Sequence, residues 1–373
     1  MLFKDIPGLE EIKTQLIQAV KNNQIAHAQL FLSKNGGANL PLALAYASYI
    51  NCEQPLENDS CGSCASCSKN DKIIHPDVHF VYPVSSTKNI TGKDVISTNF
   101  LKEWRDFLLN NPYGNVNQWT MAFGGENKQV NISKEESRQI IKRLSLKAFE
   151  GKYKVMIIWL PEYMNGASAN AILKILEEPP ERTIFLLVCN DDEQLLTTIL
   201  SRTQIVKIRQ FDDNEMMQLL IEQLEVDATK AERLAHLADG DLDEAMILIE
   251  GSEEDNHDLF RSWMRLCFTH DFTNMVEMAE TFHKSGKVVQ RSLLQYGLSM
   301  MRESLLATAG ATEMHRIQGE EEKFIENFSK VMTFEKVENF NNLINDALYH
   351  LERNANAKIT FMNLSLQIAR FIK

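Results

Sequence analysis

Four of the six cysteines fall in one short stretch, spaced Cys52-x8-Cys61-x2-Cys64-x2-Cys67. A tetrahedral zinc ion takes four thiolates at about 2.3 Å, and two cysteines separated by two residues can reach one ion from a tight turn. Gly62 and the small Ser63, Ala65 and Ser66 leave room for such a turn. Free thiols or a redox pair are the plainer alternative, but four thiols this close together in a reducing compartment point to metal. A site closed by four thiolates has no position for an activated water, so one structural zinc per chain is expected. His75 is a spare ligand by residue type, better assigned to the turn His75-Pro76-Asp77. Cys189 and Cys267 sit in apolar runs and are expected to be buried.

A second constellation is defined by what it lacks. The segment from Leu30 to Leu40 leaves a strand pattern and enters a helical one, Leu42 to Ile50, which is where a phosphate-binding loop sits in an α/β domain. Such a loop needs a lysine to reach the β- and γ-phosphates and a serine or threonine to hold Mg²⁺. Asn39 and Leu40 occupy those places, and Gly36-Gly37 alone is a weak sign, because a strand-to-helix turn often needs glycine anyway. The acidic residues that organise Mg²⁺ should follow the strand pattern Val155 to Ile158. Trp159-Leu160-Pro161 stand there instead, with Glu162 too far along to substitute. Two parts of the nucleotide chemistry are missing, so no ATP is expected in the chain's own site.

The elements that must position these residues alternate over the first 210 positions. Short apolar runs at Gln29–Leu32, Val78–Val81, Val155–Trp159, Thr183–Cys189 and Ile205–Ile208 read as strands, several apolar on both faces as buried parallel strands are. Leu9, Ile12, Leu16, Ile17 and Val20 recur at helical spacing. Ser133-Lys134-Glu135-Glu136 has capping-box form and opens a helix whose buried stripe is Ile140, Ile141 and Leu144. Ala169–Glu178 reads as a helix stopped by Pro179-Pro180. Residues 84–132 look irregular, with Trp104, Phe107, Tyr113, Trp119 and Phe123 among asparagines and glycines. A single-strand stacking platform is conceivable there, but the basic charge is sparse, and a local core for an insertion is the better reading.

Beyond Gln210 strand patterns stop. Asp212–Leu224, Thr229–Leu237 and Leu242–Glu250 read as a small helical domain, residues 211–251. From Ser252 onward a bundle is expected, with helices including Val288–Ala307, Glu320–Val331, Phe334–Arg353 and Ile359–Ile372. The expected architecture is an α/β domain over 1–210 carrying the cysteine module (about 52–67) and the insertion (about 84–132), a small helical domain over 211–251, and an all-α domain over 252–373.

With 39 Lys and Arg against 51 Asp and Glu, the net charge of −12 argues against holding nucleic acid by bulk positive charge. The start Met-Leu-Phe-Lys-Asp-Ile-Pro-Gly has no secretory pattern, and no apolar stretch suits a membrane span, so a cytoplasmic protein is expected.

Taken in order, Ile25-Ala26-His27-Ala28-Gln29-Leu30-Phe31, the cysteine motif, His75-Pro76-Asp77, Ala169-Asn170-Ala171-Ile172-Leu173-Lys174-x2-Glu177-Glu178-Pro179-Pro180 and Leu195-Leu196-x-Thr198-Ile199-Leu200-Ser201-Arg202 resemble the bacterial clamp-loader family of the AAA+ superfamily. The resemblance implies an AAA+ domain with a zinc module, a small lid, and a helical collar through which five subunits form an open ring. The implied partners are the gamma/tau and delta subunits of the DNA polymerase III clamp loader, with the sliding clamp and primer-template DNA met through the complex and no membrane. Ser201-Arg202-Thr203 falls on the family's Ser-Arg-Cys motif, with Thr in place of Cys. It implies that Arg202, beside Ser201, is an arginine finger projected into a neighbour's ATP site, and that Asn190 marks a vestigial γ-phosphate sensor. Glu177-Glu178-Pro179-Pro180 is given no chemistry. The loss of the loop lysine places the chain in the family's non-hydrolysing branch. An active gamma/tau-like ATPase with an atypical loop is the alternative, and a nucleic-acid-binding zinc ribbon is a third reading.

Overall fold

The computed structural model describes residues 1–125, 128–250, 253–311, 315, 317, 319–352 and 355–372. The expected boundary at Ser252 and helix end at Arg353 lie outside them. Two compact units are present: Met1–Leu219 with Gly240–Leu242, and Leu220–Asp239 with Asp243–Lys373.

The first unit is built on a five-stranded sheet of β1 (Ala28–Leu32), β2 (Val78–Val81), β3 (Lys154–Trp159), β4 (Thr183–Cys189) and β5 (Gln204–Lys207). Its order is β2-β3-β4-β1-β5, parallel throughout. This is the mostly parallel α/β sheet expected from the sequence. Every residue of β3 and β4 is buried, as central strands covered on both faces require. In the edge strand β5 only Val206 is buried. Leu30, Met156, Ile158, Phe185 and Leu187 share one core with Ile140, Leu144, Ile172 and Leu176 from the helices Lys134–Leu144 and Gly166–Glu177.

Two local expectations are corrected. Ile141 is 38% exposed, so the stripe of its helix is Ile140 and Leu144 without it. The capping box is half made: Ser133 Oγ accepts the Glu136 N–H at 3.3 Å, but the Glu136 carboxylate turns away to take the Ser97 N–H and Oγ–H, both at 2.6 Å. Glu136 is buried, and Ser97 supplies partners that water cannot.

The insertion is also more ordered than its composition suggests. It contains helices Leu101–Asn110 and Val116–Ala122, the second opened by Asn115 and Gln118 as a full capping box. Tyr82 stacks on Trp104 at 4.0 Å between ring centroids, and Trp119 meets both edge-on at 5.0 Å. The Trp119 indole donates to the Pro83 carbonyl at 2.8 Å. Trp104, Phe107, Tyr113, Trp119 and Phe123 are all buried, so these rings form a core and offer no stacking platform.

The second unit is helical: Ala228–Ala238, Leu242–Glu250 from its second residue on, Glu253–Thr269, Phe272–Lys284, Lys287–Thr308, Glu320–Phe328, Phe334–Glu352 and Ala357–Ile372. Trp263, Phe260 and Phe340 are fully buried at its centre, with the Trp263 indole donating to Ser365 Oγ at 2.8 Å. Among the described residues no helix is long and apolar enough to cross a membrane.

Candidate functional site

The cysteine module leaves the helix Asn39–Ile50 at Cys52 and ends in the short helix Ala65–Asp71, whose N-cap is Cys64. The sulfurs of Cys52, Cys61, Cys64 and Cys67 all lie within 4.8 Å of one another. Four sulfurs bound to one tetrahedral zinc are about 3.8 Å apart, given the 2.3 Å bond. The Cys61 and Cys67 sulfurs are already 3.9 Å apart. Backbone N–H groups feed the cluster: Cys61 donates to Cys52 Sγ and Cys64 to Cys61 Sγ at 3.3 Å each, and Cys67 to Cys64 Sγ at 3.4 Å. The N–H groups of Ser63 and Cys64 pull the Cys61 thiol down to about 6, whereas burial pushes Cys52 and Cys67 up. A bound dication would remove that penalty, and the donor set fits zinc in type, number and spacing.

His75 lies outside the cluster. Its Nδ1 accepts the Asp77 N–H at 3.1 Å, which fixes the turn before β2. The Asp77 carboxylate accepts three N–H groups, from Phe149 and Gly151 at 2.6 Å and Glu150 at 2.8 Å. Glu150 in turn pairs with Lys69 of the module's helix at 2.5 Å. Cys189 and Cys267 are fully buried.

At the carboxyl end of β1, the groups of the loop bond to one another and to the end of β4. Asn39 Nδ2 donates to the Cys189 carbonyl at 3.0 Å and to Asn190 Oδ1 at 2.8 Å, while Asn39 Oδ1 accepts the Leu40 N–H at 2.9 Å. Asn190 Nδ2 donates to Asn35 Oδ1 at 2.8 Å. Gly36, at φ +70°, has the Asp241 carboxylate against its Cα, and its carbonyl accepts the Leu242 N–H at 3.2 Å. A Cβ on Gly37 would strike Ser33 Oγ. No cation stands among these contacts.

Glu162 belongs to this cluster, which its position in the sequence did not suggest. The turn Pro161–Tyr163 brings its buried carboxylate back to the end of β4, where Oε1 accepts the Asn190 N–H at 2.9 Å. Burial raises its pKa, partly countered by that N–H.

Ser201 and Arg202 lie between the short helix Thr197–Leu200 and β5. Arg202 Nε donates to Glu177 Oε2 at 3.1 Å, and Nη1 donates to the Thr198 carbonyl at 3.1 Å and to Ser201 Oγ at 3.4 Å. Thr203 Oγ1 bonds the Ile199 and Leu200 carbonyls at 3.2 Å, so threonine is well accommodated in the place of cysteine. β5 pairs with β1 in the register Gln29↔Gln204 to Leu32↔Lys207. Arg202 therefore lies at the strands' amino ends, and the loop after Leu32 lies at their carboxyl ends. The separation is about 15 Å at roughly 3.3 Å per residue. Arg202 is out of reach of its own loop.

The profile of the family described as DNA polymerase III, delta subunit matches residues 8–212. The chain is 26% identical over 218 residues to the tau/gamma subunit of DNA polymerase III from Haemophilus influenzae, covering 58% of this chain and 25% of that protein. It is 30% identical over 198 residues to the delta' subunit from Yersinia pestis, covering 52% and 45%. In both cases the chain spans less than half of the relative's length. A DNA polymerase III gamma subunit-related protein from Thermotoga maritima superposes with a TM-score of 0.41 and 18% identity, over 97% of this chain and 99% of that one. With more than half of its length inside the matched profile, the chain belongs to the DNA polymerase III delta-subunit family.

Proposed function

We propose that this chain is a clamp-loader subunit of the delta-prime type, with no ATP hydrolysis of its own, which supplies Arg202 in trans to the ATP site of an adjoining gamma/tau subunit. The observation that carries the reading is Asn39: the residue in the lysine's place spends its amide on Cys189 and Asn190, and Leu40 beside it offers Mg²⁺ nothing. Arg202 supports the trans role, because a guanidinium gives fixed charge and forked donors to phosphate oxygens and this one is remote from its own loop. The same reading gives the four cysteines one structural zinc, Ser201 a place beside the finger, Asp212–Glu250 the part of a lid, and the helices beyond it the part of a collar. The sliding clamp and primer-template DNA would be met through the assembled ring.

The test uses a complex reconstituted with gamma/tau and delta subunits. Arg202→Ala should leave unfolding of the isolated chain within about 0.5 kcal/mol of wild type. It should slow hydrolysis at the served site about 10³-fold or more, read as loss of that site's share of DNA-stimulated ATPase. Unchanged turnover removes the finger assignment. The names of the relatives favour a second reading, since tau/gamma subunits are among them. An active ATPase of that kind would bind Mg-ATP at micromolar concentration and turn it over as an isolated chain, and that result would select it.

A further inference from the structure

The carboxylate that Arg202 meets has no role in the chemistry described so far. Glu177 is the last residue of the helix Gly166–Glu177. Its Oε2 takes Arg202 Nε at 3.1 Å, with the two side chains 60% and 32% exposed. The Thr198 carbonyl and Ser201 Oγ hold Nη1. A guanidinium grips a phosphoryl group through one of two forked edges, Nε with Nη2 or Nη1 with Nη2. Nε has a single hydrogen and it is committed to Glu177, so the edge of Nε with Nη2 opens to a phosphate only when Arg202 gives up Glu177.

We propose that Glu177 is a positioning residue that parks Arg202 against its own chain until a more highly charged anion, the triphosphate of an adjoining subunit, displaces it. The identity of that anion rests on the function proposed above; the parking contact does not. The pair is exposed and therefore weak, so removing the carboxylate should change the parked population by about two- to five-fold, without freezing or abolishing the side chain's motion.

The experiment has two arms. On the full isolated chain, the rate of phenylglyoxal modification at Arg202 is followed by peptide mass mapping. Glu177→Gln should raise it about two- to five-fold. Added salt should raise the wild-type rate and leave the Gln variant's unchanged, because screening acts on the ion pair. In the reconstituted complex, Glu177→Gln should lower the ATP concentration for half-maximal hydrolysis with the maximal rate unchanged. An unchanged modification rate overturns the proposal. So does a fall in maximal turnover, which would mean that Glu177 aims the finger in the assembled state. If Arg202→Ala leaves ATPase unchanged while Glu177→Gln still speeds modification, the finger reading fails and the parking contact stands. The converse pattern sinks the parking contact alone.

Discussion

The cysteine module and the glycine loop both hang on the helix Asn39–Ile50, one at each end, and they treat their polar groups in opposite ways. In the module four sulfurs converge within 4.8 Å, and burial works against ionisation of two of the thiols. In the loop the two asparagines and the glycine backbone have internal partners, Asn39 with Asn190, Asn190 with Glu162 and Asn35, Gly36 with Leu242, while Ser33 Oγ and Glu162 Oε2 are buried without one. Convergent sulfurs form a ready ligand set for a cation, whereas side-chain amides bonded to one another have less to offer a phosphate. The contrast can be broken from either end.

The largest effect is expected at the module. Cys61→Ala, or chelation of the wild type, should release one zinc per chain and cost about 4 kcal/mol where zinc stands a thousandfold above its Kd. Metal analysis and thermal unfolding read both quantities. A wild-type chain without zinc, or one whose unfolding ignores the chelator, would erase the distinction between the two regions.

The next effect lies in the turn beneath the module. Asp77→Asn sets an amide N–H against the N–H groups of Glu150 and Gly151, losing charge-assisted bonds each worth about 1.5–3 kcal/mol, so a loss of about 3 kcal/mol is expected. Burial alone would raise the Asp77 pKa, but the three N–H donors outweigh it and hold the carboxyl below its usual 3.8. The sign follows from that: the stabilisation is fully present above pH 3.8 and is lost as pH falls through the lower folded value. Acid unfolding of the Asn variant should lack this component, and a variant as acid-sensitive as wild type would remove Asp77 from the account.

Much of this was legible in the sequence where the signal is local. The five strands begin and end within one residue of their apolar runs, because a short apolar run bounded by polar or turn residues marks a strand whether it is central, as β3 and β4 are, or at the edge, as β5 is. The cysteine spacing is local too, and the sulfurs converge as it implies. What stayed hidden depends on groups far apart in the chain. Glu162 meets Asn190 across 28 positions, and Glu177 meets Arg202 across 25. Neither carboxylate carries a mark in the sequence that separates it from a solvated one. The insertion failed for another reason: asparagine and glycine turns at Asn110-Asn111-Pro112 and Gly124-Gly125 obscured the helices Leu101–Asn110 and Val116–Ala122, which burial of Trp104 and Trp119 stabilises.

The smallest effect is expected at the loop, and it tests the other half of the contrast. Asn39→Ala removes the donor to Asn190 Oδ1 and the acceptor of the Leu40 N–H, while the Cys189 carbonyl keeps the Ser33 N–H at 3.3 Å. With that acceptor still satisfied, the cost should be about 1 kcal/mol, seen as a small drop in unfolding temperature. Asn39→Lys is the sharper variant. It puts a cation where a phosphate loop carries its lysine, yet Leu40 still offers no oxygen to Mg²⁺ and Trp159-Leu160 still stand where acidic residues would organise it. The lysine variant should therefore gain at most weak ATP binding and no turnover. Hydrolysis gained by that single change would show that the loop is one residue from a working site, and that its internal hydrogen bonds do not stand in the way of nucleotide chemistry.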